Sequence, residues 1–383
     1  MLFCFKILYI KEEDKYEMRK FSILSIAMLL FLICMPVMAQ VTVGTWGRGF
    51  FVPLMGADGE VTSGTLVSWG APVRTGLSFT GTSDNVGFQI DFNVDGGGFV
   101  ADDKQFIWVK PIDMLTISLG YLKDDTLRGS GSFGSYHWLR TTTMVGDGLI
   151  FGRVGEFGSV NVEISLAPVE GLYAFVAFGG NGGVDLMVPP PAFNLAEDML
   201  KLGQYGAGYT IANIGTIRAQ LFGRPTIIDE AWFLVQAAFK LTAVPNLCVD
   251  VGGTFPTDNA QAGYDVIAAL YASYAMEMGL TVHLLGHMKM VAEDLGFGAG
   301  LGVDYDIGGG LGVYADFRYQ NDIFSGLTDG LISFGLGVNM GFSNGLIGVG
   351  FEGTTGYLVG GAIDKTDPSA LSWALPIKLE YWF

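Results

Sequence analysis

Cysteine is scarce in this chain of 383 residues, which contains only three. Cys4 and Cys34 lie within the first 39 residues, so Cys248 is the single cysteine in the rest of the sequence. One cysteine cannot form a disulfide within a chain, so a small fold held together by disulfides is excluded.

Histidine is equally scarce, with three residues, and this limits the chemistry available to the chain. His283 and His287 share one face of a predicted strand, but at about 3.3 Å per residue they are roughly 13 Å apart, too far to hold one metal ion. No nucleophile has a base placed beside it. The glycine-rich stretch 296–312 lacks the Lys-Ser/Thr ending of a phosphate-binding loop. We therefore predict that the protein is not an enzyme and carries no metal and no cofactor.

Basic residues are few. Charged residues make up 15% of the chain, with 21 Lys and Arg against 38 Asp and Glu. Without residues 1–39 the chain keeps 16 basic and 34 acidic residues, a net charge of −18. Because nucleic-acid binding depends on basic side chains that neutralise phosphates, a nucleic-acid partner is disfavoured.

Long apolar runs are missing after residue 39, although half of all residues are hydrophobic. A spanning helix needs about 18 or more consecutive apolar residues, and no such run follows. In lipid every backbone polar group must be paired internally, so a membrane protein without spanning helices has to be a closed barrel. The 57 glycines, about twice the usual share, disfavour long helices and suit turns and a crowded inner wall.

The N-terminal region has the pattern of a secretory signal peptide. Met18, Arg19 and Lys20 precede the apolar run FSILSIAMLLFLICMPVMA, which ends in small residues before Gln40. We predict cleavage after Ala39, with 1–39 as leader (18–39 the signal peptide proper) and 40–383 as one barrel domain. Residues 1–17 fit no export pattern, which favours a start at Met18. A retained transmembrane helix and a lipoprotein anchored through Cys34 are the alternatives, but Ile33 is bulky for the latter.

In the last thirteen residues, LSWALPIKLEYWF, every odd-numbered position is apolar, and the even-numbered ones include Ser372, Lys378 and Glu380. Side chains of a strand point alternately to opposite faces, so this strand has one apolar face with aromatic residues at its end. It resembles the C-terminal strand of Gram-negative outer-membrane β-barrels, which in that family is read by the barrel-assembly machinery. The resemblance implies an assembly signal and a bacterial outer-membrane location; an ordinary soluble strand is the alternative. The residues that carry it are Ile377, Leu379, Tyr381 and Phe383.

The same alternation recurs at 86–95, 160–166, 297–306 and 311–320. At 265–277 both faces are apolar, and periodicity does not distinguish strand from helix. The fold class predicted is all-β, a single transmembrane antiparallel up-and-down barrel of about 16–18 strands. Pro376 fits this barrel poorly, because proline lacks the backbone N–H that the last strand would donate to its neighbour.

Tight-turn sequences and longer polar stretches tend to alternate, as in outer-membrane barrels. Eight tight turns with both termini inside give 18 strands, and one misread hairpin near Gly279 would give 16. The turns are predicted near 84–85, 111–113, 168–171, 213–215, 245–246, 279, 308–310 and 344–345. The longer stretches are 123–158, 180–203, 256–264, 321–330 and 355–370.

Alternation also predicts which charged side chains line the lumen. The set carries both signs with an acidic excess, which favours a weak cation preference, although these charges could equally serve only to solvate the wall. The predicted lining residues are Arg74, Asp91, Asp95, Glu163, Arg218, Lys240, Asp250, His283, His287, Lys289, Asp304, Asp306, Asp316 and Arg318, followed by Lys378 and Glu380 in the last strand.

Residues 123–158 form the longest predicted loop and are the candidate for a constriction folded into the channel. This resembles general porins, which place acidic residues on an inward loop opposite a basic cluster. The alternative is a loop that lies over the channel opening and does not enter the lumen. The candidates for the constriction are Asp124, Asp125, Arg128, Arg140, Asp147 and Arg153.

The sequence therefore predicts an outer-membrane porin for passive diffusion of ions and small hydrophilic solutes. The stretch 108–129 also resembles hairpins of spirochaetal porin-like proteins. Expected partners are outer-membrane lipid, the barrel-assembly machinery, small solutes and, by analogy with general porins, two further copies in a homotrimer. A non-conducting adhesin or structural surface protein, or a barrel that transports a hydrophobic substrate, are the competing interpretations.

Overall fold

The computed structural model describes residues 40–64, 73–95, 98–121, 161–179, 203–225, 231–325, 329–356 and 370–383. Nearly all of them lie in β-strands. The strands are β1 (Gln40–Ala57), β2 (Glu60–Gly64), β3 (Val73–Thr82), β4 (Val86–Asp95), β5 (Gly98–Ile112), β6 (Leu115–Tyr121), β7 (Asn161–Val169), β8 (Leu172–Gly179), β9 (Gln204–Ile211), β10 (Gly215–Pro225), β11 (Ala231–Leu241), β12 (Leu247–Pro256), β13 (Val266–Ala275), β14 (Leu280–Val291), β15 (Asp294–Gly308), β16 (Leu311–Gln320), β17 (Leu331–Phe342), β18 (Gly345–Thr354) and β19 (Ser372–Trp382). Two short helices are α1 (Asn259–Ala262) and α2 (Asp322–Ser325).

The strands form one closed antiparallel ring. Each strand from β3 to β19 pairs with the next along the chain, and β19 pairs back with β1 through Trp46–Trp382 to Gly56–Trp373. Both β2 and β3 pair with β1, one after the other along its length, so they share one strand position. The ring therefore has 18 strands, which confirms the predicted fold class and selects the upper value of the predicted strand number.

The eight predicted tight turns all lie at one end of the ring, together with Gln40 and Phe383. Several use backbone conformations that require particular residues: Asn213 and Asn246 have positive φ angles of 61° and 63°. Asparagine tolerates this left-handed conformation better than most residues, which explains its place in these turns. This end is called the short-turn end below, and the opposite end is the loop end.

The loop end is less uniform than the sequence predicted. Two of its connections are also tight hairpins: Asp58-Gly59, with φ angles of 51° and 80°, and Ala292-Glu293. Two positive φ angles in a row are those of a type I′ turn, which suits Asp-Gly. The predicted loops 256–264 and 321–330 contain the helices α1 and α2, and the ambiguous stretch 265–277 is mostly strand β13.

The two faces of the wall differ in chemistry, as alternation predicted. In β15 the odd-numbered residues Phe297 and Leu301 are 43% and 55% exposed on the outside, whereas the glycines between them face inward. Polar and charged side chains such as Gln236, Asp316 and Lys378 lie on the inner face. An apolar outer band with a polar interior is the arrangement of a barrel surrounded by lipid.

Among the described residues, no helix is both long and apolar enough to cross a membrane.

The seam between β1 and β19 contains a bulge that accommodates two prolines. The register shifts between Phe51 and Leu54 on β1, opposite Leu375 and Ile377, so that Pro53 and Pro376 lie in the irregular stretch. Proline cannot donate a ladder hydrogen bond and is tolerated at bulges. The awkward Pro376 of the last strand is therefore compatible with a closed ring.

Glycines on the wall are covered by aromatic rings from the neighbouring strand. At nine inward or outward positions, a β-carbon built on the glycine would lie within 3 Å of the ring of its direct cross-strand partner. Each ring therefore packs flat on backbone that has no side chain, a known device that stabilises glycines in sheets. The inner pairs are Gly76–Trp46, Gly87–Trp108, Gly206–Phe175, Gly208–Tyr173 and Gly337–Tyr314, and the outer pairs are Gly47–Tyr381, Gly56–Trp373, Gly81–Phe88 and Gly353–Phe334.

Candidate functional site: the inner wall of the barrel

Strand register places all fourteen predicted lining residues that precede the last strand on the inward face. For twelve of them the side chain is described as well. Arg74 and Asp95 lie at inward register positions of β3 and β4, but their side chains are outside the described set. The twelve are Asp91, Glu163, Arg218, Lys240, Asp250, His283, His287, Lys289, Asp304, Asp306, Asp316 and Arg318. Their role in a pore remains a prediction. The six constriction-loop candidates and the leader fall outside the described residues.

Many inner side chains are packed closely. The buried polar and charged residues include Asp250, Asp316, Arg318, Glu352 and Lys378, each at most 8% exposed. A wide lumen filled with bulk water would leave such side chains exposed. The inner face of β12 and β16–β19 is therefore largely shielded from solvent, and the open space is narrower than the ring itself.

His283 is the centre of a hydrogen-bonded chain near the short-turn end. Its Nδ1 lies 3.0 Å from the Tyr271 hydroxyl and its Nε2 lies 2.9 Å from Oδ2 of Asp304. The rings of Tyr271 and His283 also stack, with centroids 6.2 Å apart. Both ring nitrogens are engaged, so His283 holds β13, β14 and β15 together on their inner faces.

An ion cluster closes the ring at the seam. Glu380 of β19 accepts hydrogen bonds from Arg48 of β1, at 3.1 Å from Nε and 2.6 Å from Nη2, and its other oxygen lies 2.5 Å from the ammonium of Lys378. Lys378 is 1% exposed and Glu380 is 17% exposed in their side chains. Sequence analysis missed Arg48, because Gly47 and Gly49 on either side of it give no alternation to place it on a face.

An amide ladder spans three further strands. Gln236 of β11 accepts a hydrogen bond from Gln220 of β10 and donates one to the Thr254 hydroxyl of β12, at 3.2 Å. All three are buried. The prediction considered only charged side chains, so this uncharged network was missed; its signal was the even spacing of polar residues within otherwise apolar strands.

A group of aromatic side chains occupies the inner face between β5 and β8. Phe175 is buried, and Phe106 and Tyr173 pack against it. Trp108 lies on the same face as Phe106, and the ammonium of Lys110 is 5.2 Å from its ring centroid. The predicted lining residues were all charged residues or histidines, so this aromatic group was not predicted.

Two carboxylates share one cross-strand row on the inner face of β15–β19. Asp316 pairs with Gly302 on one side and Gly335 on the other, and Gly335 pairs in turn with Glu352. Glu352 pairs with Ala374. The row thus contains two acids and three residues without a polar side chain. Within the described ranges, no three or more His, Cys, Asp or Glu side chains lie close enough together to hold a metal ion.

No protein-family model matches the chain. No curated protein matches it either. Among solved structures, a loop-deletion mutant of OmpT, an outer membrane protein of Vibrio cholerae, is 14% identical with a TM-score of 0.42 and covers 90% of this chain and 99% of that one. In-vitro folded OmpT is 13% identical with a TM-score of 0.43, covering 91% and 99%. A double mutant of the porin of Rh. blastica is 14% identical with a TM-score of 0.46, covering 90% of this chain and 100% of that one.

At these TM-scores the fold assignment rests on the chain's own strand pairing. A closed antiparallel ring with an apolar outer face satisfies every requirement of a lipid-embedded barrel. The chain is a closed β-barrel whose outer face carries the exposed apolar side chains of a membrane-embedded protein. The spirochaetal resemblance remains a prediction.

Proposed function

We propose that the chain is an outer-membrane porin that lets ions and small hydrophilic solutes diffuse passively. The observation that carries this proposal is the closed ring of 18 strands with its charged and polar side chains on the inner face. Barrels of about 16–18 strands enclose an aqueous channel. The packed inner wall makes that channel narrower than the ring.

A weak preference for cations is part of the proposal. Acidic side chains concentrate on the inner face of three nearby strands, where Asp304 lies on β15, Asp316 on β16 and Glu352 on β18. Charged groups lining a narrow pore set its selectivity through the local potential.

Single-channel recording tests this function directly. The full chain, expressed with its own leader and purified from membranes in detergent, is inserted into a planar bilayer under a KCl gradient. We expect stable ohmic steps and a reversal potential on the cation-selective side. A reversal potential of the opposite sign would contradict the cation preference alone. A folded, heat-modifiable barrel that never conducts would contradict the porin function and favour a non-conducting surface protein.

Cys248 supplies a second test of an open lumen. It is the one cysteine in residues 40–383, it is partly exposed, and it lies on the inner face near the short-turn end, beside Tyr271 and Leu285. We expect an anionic methanethiosulfonate reagent to modify it in the folded barrel and to lower the single-channel current. In an open lumen the reagent acts from either side of the bilayer.

The matched control is Cys248→Ser, whose current should not respond to the reagent. Modification from the short-turn side only would mean that the lumen is blocked between Cys248 and the loop end. That result would contradict free diffusion even if the barrel inserts normally.

One observation favours a barrel for hydrophobic substrates as the second candidate. Inward positions near the loop end carry buried apolar side chains, among them Met55, Leu331 and the cross-strand pair Phe222 and Leu234. Such a barrel would bind apolar ligands and show little or no ion current in the bilayer experiment. Recognition of the C-terminal strand by the barrel-assembly machinery and assembly into a homotrimer belong to the proposal as well, by analogy with outer-membrane porins.

A further inference from the structure

The Asp316 carboxylate is a buried acid that the wall itself does not satisfy. Its residue is 6% exposed, and neither carboxylate oxygen has a hydrogen-bond partner among the described residues. Its two neighbours in the row are Gly302 and Gly335, which offer no side-chain donor. A buried charge costs considerable free energy unless it is paired, so this position calls for a cationic partner.

Gly335 leaves room for a methyl-sized group beside this carboxylate. A β-carbon built on Gly335 would lie 3.7 Å from each oxygen of Asp316 and 3.8 Å from Cγ of Glu352. These are ordinary van der Waals distances, so one small group fits here between the carboxylate of Asp316 and the side chain of Glu352. Glu352 is itself 4% exposed. The site is therefore defined by Asp316, Gly335 and Glu352, and we call it the carboxylate pair.

The neighbouring rows border the carboxylate pair on both sides. Towards the short-turn end, Tyr314 lies over Gly337, the next inward position of β17. Towards the loop end, Arg318 pairs with Ser333, whose hydroxyl donates to that of Thr354 at 2.7 Å. Arg318 does not hydrogen-bond to either carboxylate oxygen of Asp316. Bulky ligands would have to displace this border, so a thin cationic end group fits best.

The number of ligands decides between a metal ion and an organic cation. Calcium takes six to eight oxygen ligands, and the described residues offer no cluster of three or more metal-binding side chains. A primary ammonium instead has three N–H donors, which two carboxylates can accept.

We propose that the carboxylate pair is a binding subsite for the primary ammonium group of alkylamine solutes, formed in the inner wall by Asp316 and Glu352 over Gly335. This inference deepens the proposed cation preference and rests on the porin function for its physiological meaning. Alkylamine solutes would bind to the wall during their passage and not only diffuse through the lumen.

Calorimetric titration of the detergent-purified full chain with ethylammonium chloride tests the site without requiring conduction. We expect one ethylammonium bound per chain, and no comparable binding of tetramethylammonium, which has no N–H donors. Asp316→Asn should weaken ethylammonium binding about tenfold or more, because it removes a charge-assisted hydrogen bond. Gly335→Ala keeps both acids but fills the space between them, and it should weaken binding without strain, since its new methyl group meets only ordinary contacts.

Asp306→Asn is the matched control, because it removes one acid from an exposed position of the same inner wall. Its amide oxygen can still accept the turn hydrogen bond from the Gly308 amide, so binding should not change. The proposal is overturned if ethylammonium does not bind, if tetramethylammonium binds as tightly, or if Asp306→Asn and Asp316→Asn weaken binding equally. Binding by a barrel that never conducts KCl would support the site and contradict the porin function, whereas conduction without binding would do the reverse.

Discussion

Replacing Glu380 with glutamine is expected to lower the free energy of unfolding by about 3 kcal/mol, because it removes the carboxylate that joins two cations at the seam. Arg48 and Lys378 approach Glu380 at 2.6 and 2.5 Å, and Lys378 is almost fully buried. The Glu380 side chain is 17% exposed, so solvent screens its interactions only in part. Glutamine keeps the size of the side chain and removes its charge. Urea unfolding of the reconstituted barrel, followed by tryptophan fluorescence, measures the change.

A double-mutant cycle separates the ion pair from a general effect of lost charge. Arg48→Met, Glu380→Gln and the double variant should show a coupling free energy of about 1 kcal/mol or more, as contacting residues in one ion-pair network do. Glu60→Gln is the control, because Glu60 is exposed beside the Asp58-Gly59 turn, and its loss should change stability by about 0.5 kcal/mol at most. Additive effects of the two seam substitutions would contradict a role for this pair in holding β1 to β19.

Gly206→Ala is expected to destabilise the barrel by about 2 kcal/mol, since overpacking a filled site costs about 1–3 kcal/mol. The new β-carbon would lie 2.4 Å from Cε1 and 2.5 Å from Cζ of Phe175. Phe175 cannot simply turn away, because it is buried against Ala177, Phe106 and Tyr173. The same urea unfolding assay measures the loss.

Gly286→Ala is the matched control for this substitution. Gly286 also lies within a strand, but the nearest atom to its added β-carbon is Cβ of Leu270 at 4.0 Å. We expect this variant to be neutral or slightly more stable, because alanine loses less backbone entropy on folding than glycine does. Equal destabilisation by both substitutions would mean that glycine is required for backbone freedom at these positions and not for the ring above it.

Features that depend on neighbouring residues along the chain could be predicted well from the sequence. The alternation of β19 and the turn residues at the short-turn end are local, and together they give the barrel and its 18 strands. The inward position of His283 and Asp316 follows from the same period of two. None of this requires knowledge of which strands are neighbours.

The arrangement of the inner wall could not be predicted, because it depends on register between strands. Arg48 and Glu380 are 332 residues apart and meet only when the ring closes. Glu352 becomes a partner of Asp316 only through Gly335 of the strand between them. Phe106 and Trp108 belong to none of the predicted alternating stretches, and their inward position follows only from the pairing of β5 with β4.

The aromatic rings that cover glycines also bear on how strands find their partners. Glycine-rich strands carry few side chains that distinguish one alignment from another, so they are prone to slip. A shift of one residue would move Phe175 to the opposite face from Gly206, and a shift of two would set it over Gly208, whose own partner Tyr173 would be displaced in turn. The fit of each aromatic ring onto a glycine thus favours one alignment by steric complementarity, without charge or hydrogen bonds. The nine pairs therefore favour the native register at seven strand interfaces: β1–β19, β1–β3, β3–β4, β4–β5, β8–β9, β16–β17 and β17–β18.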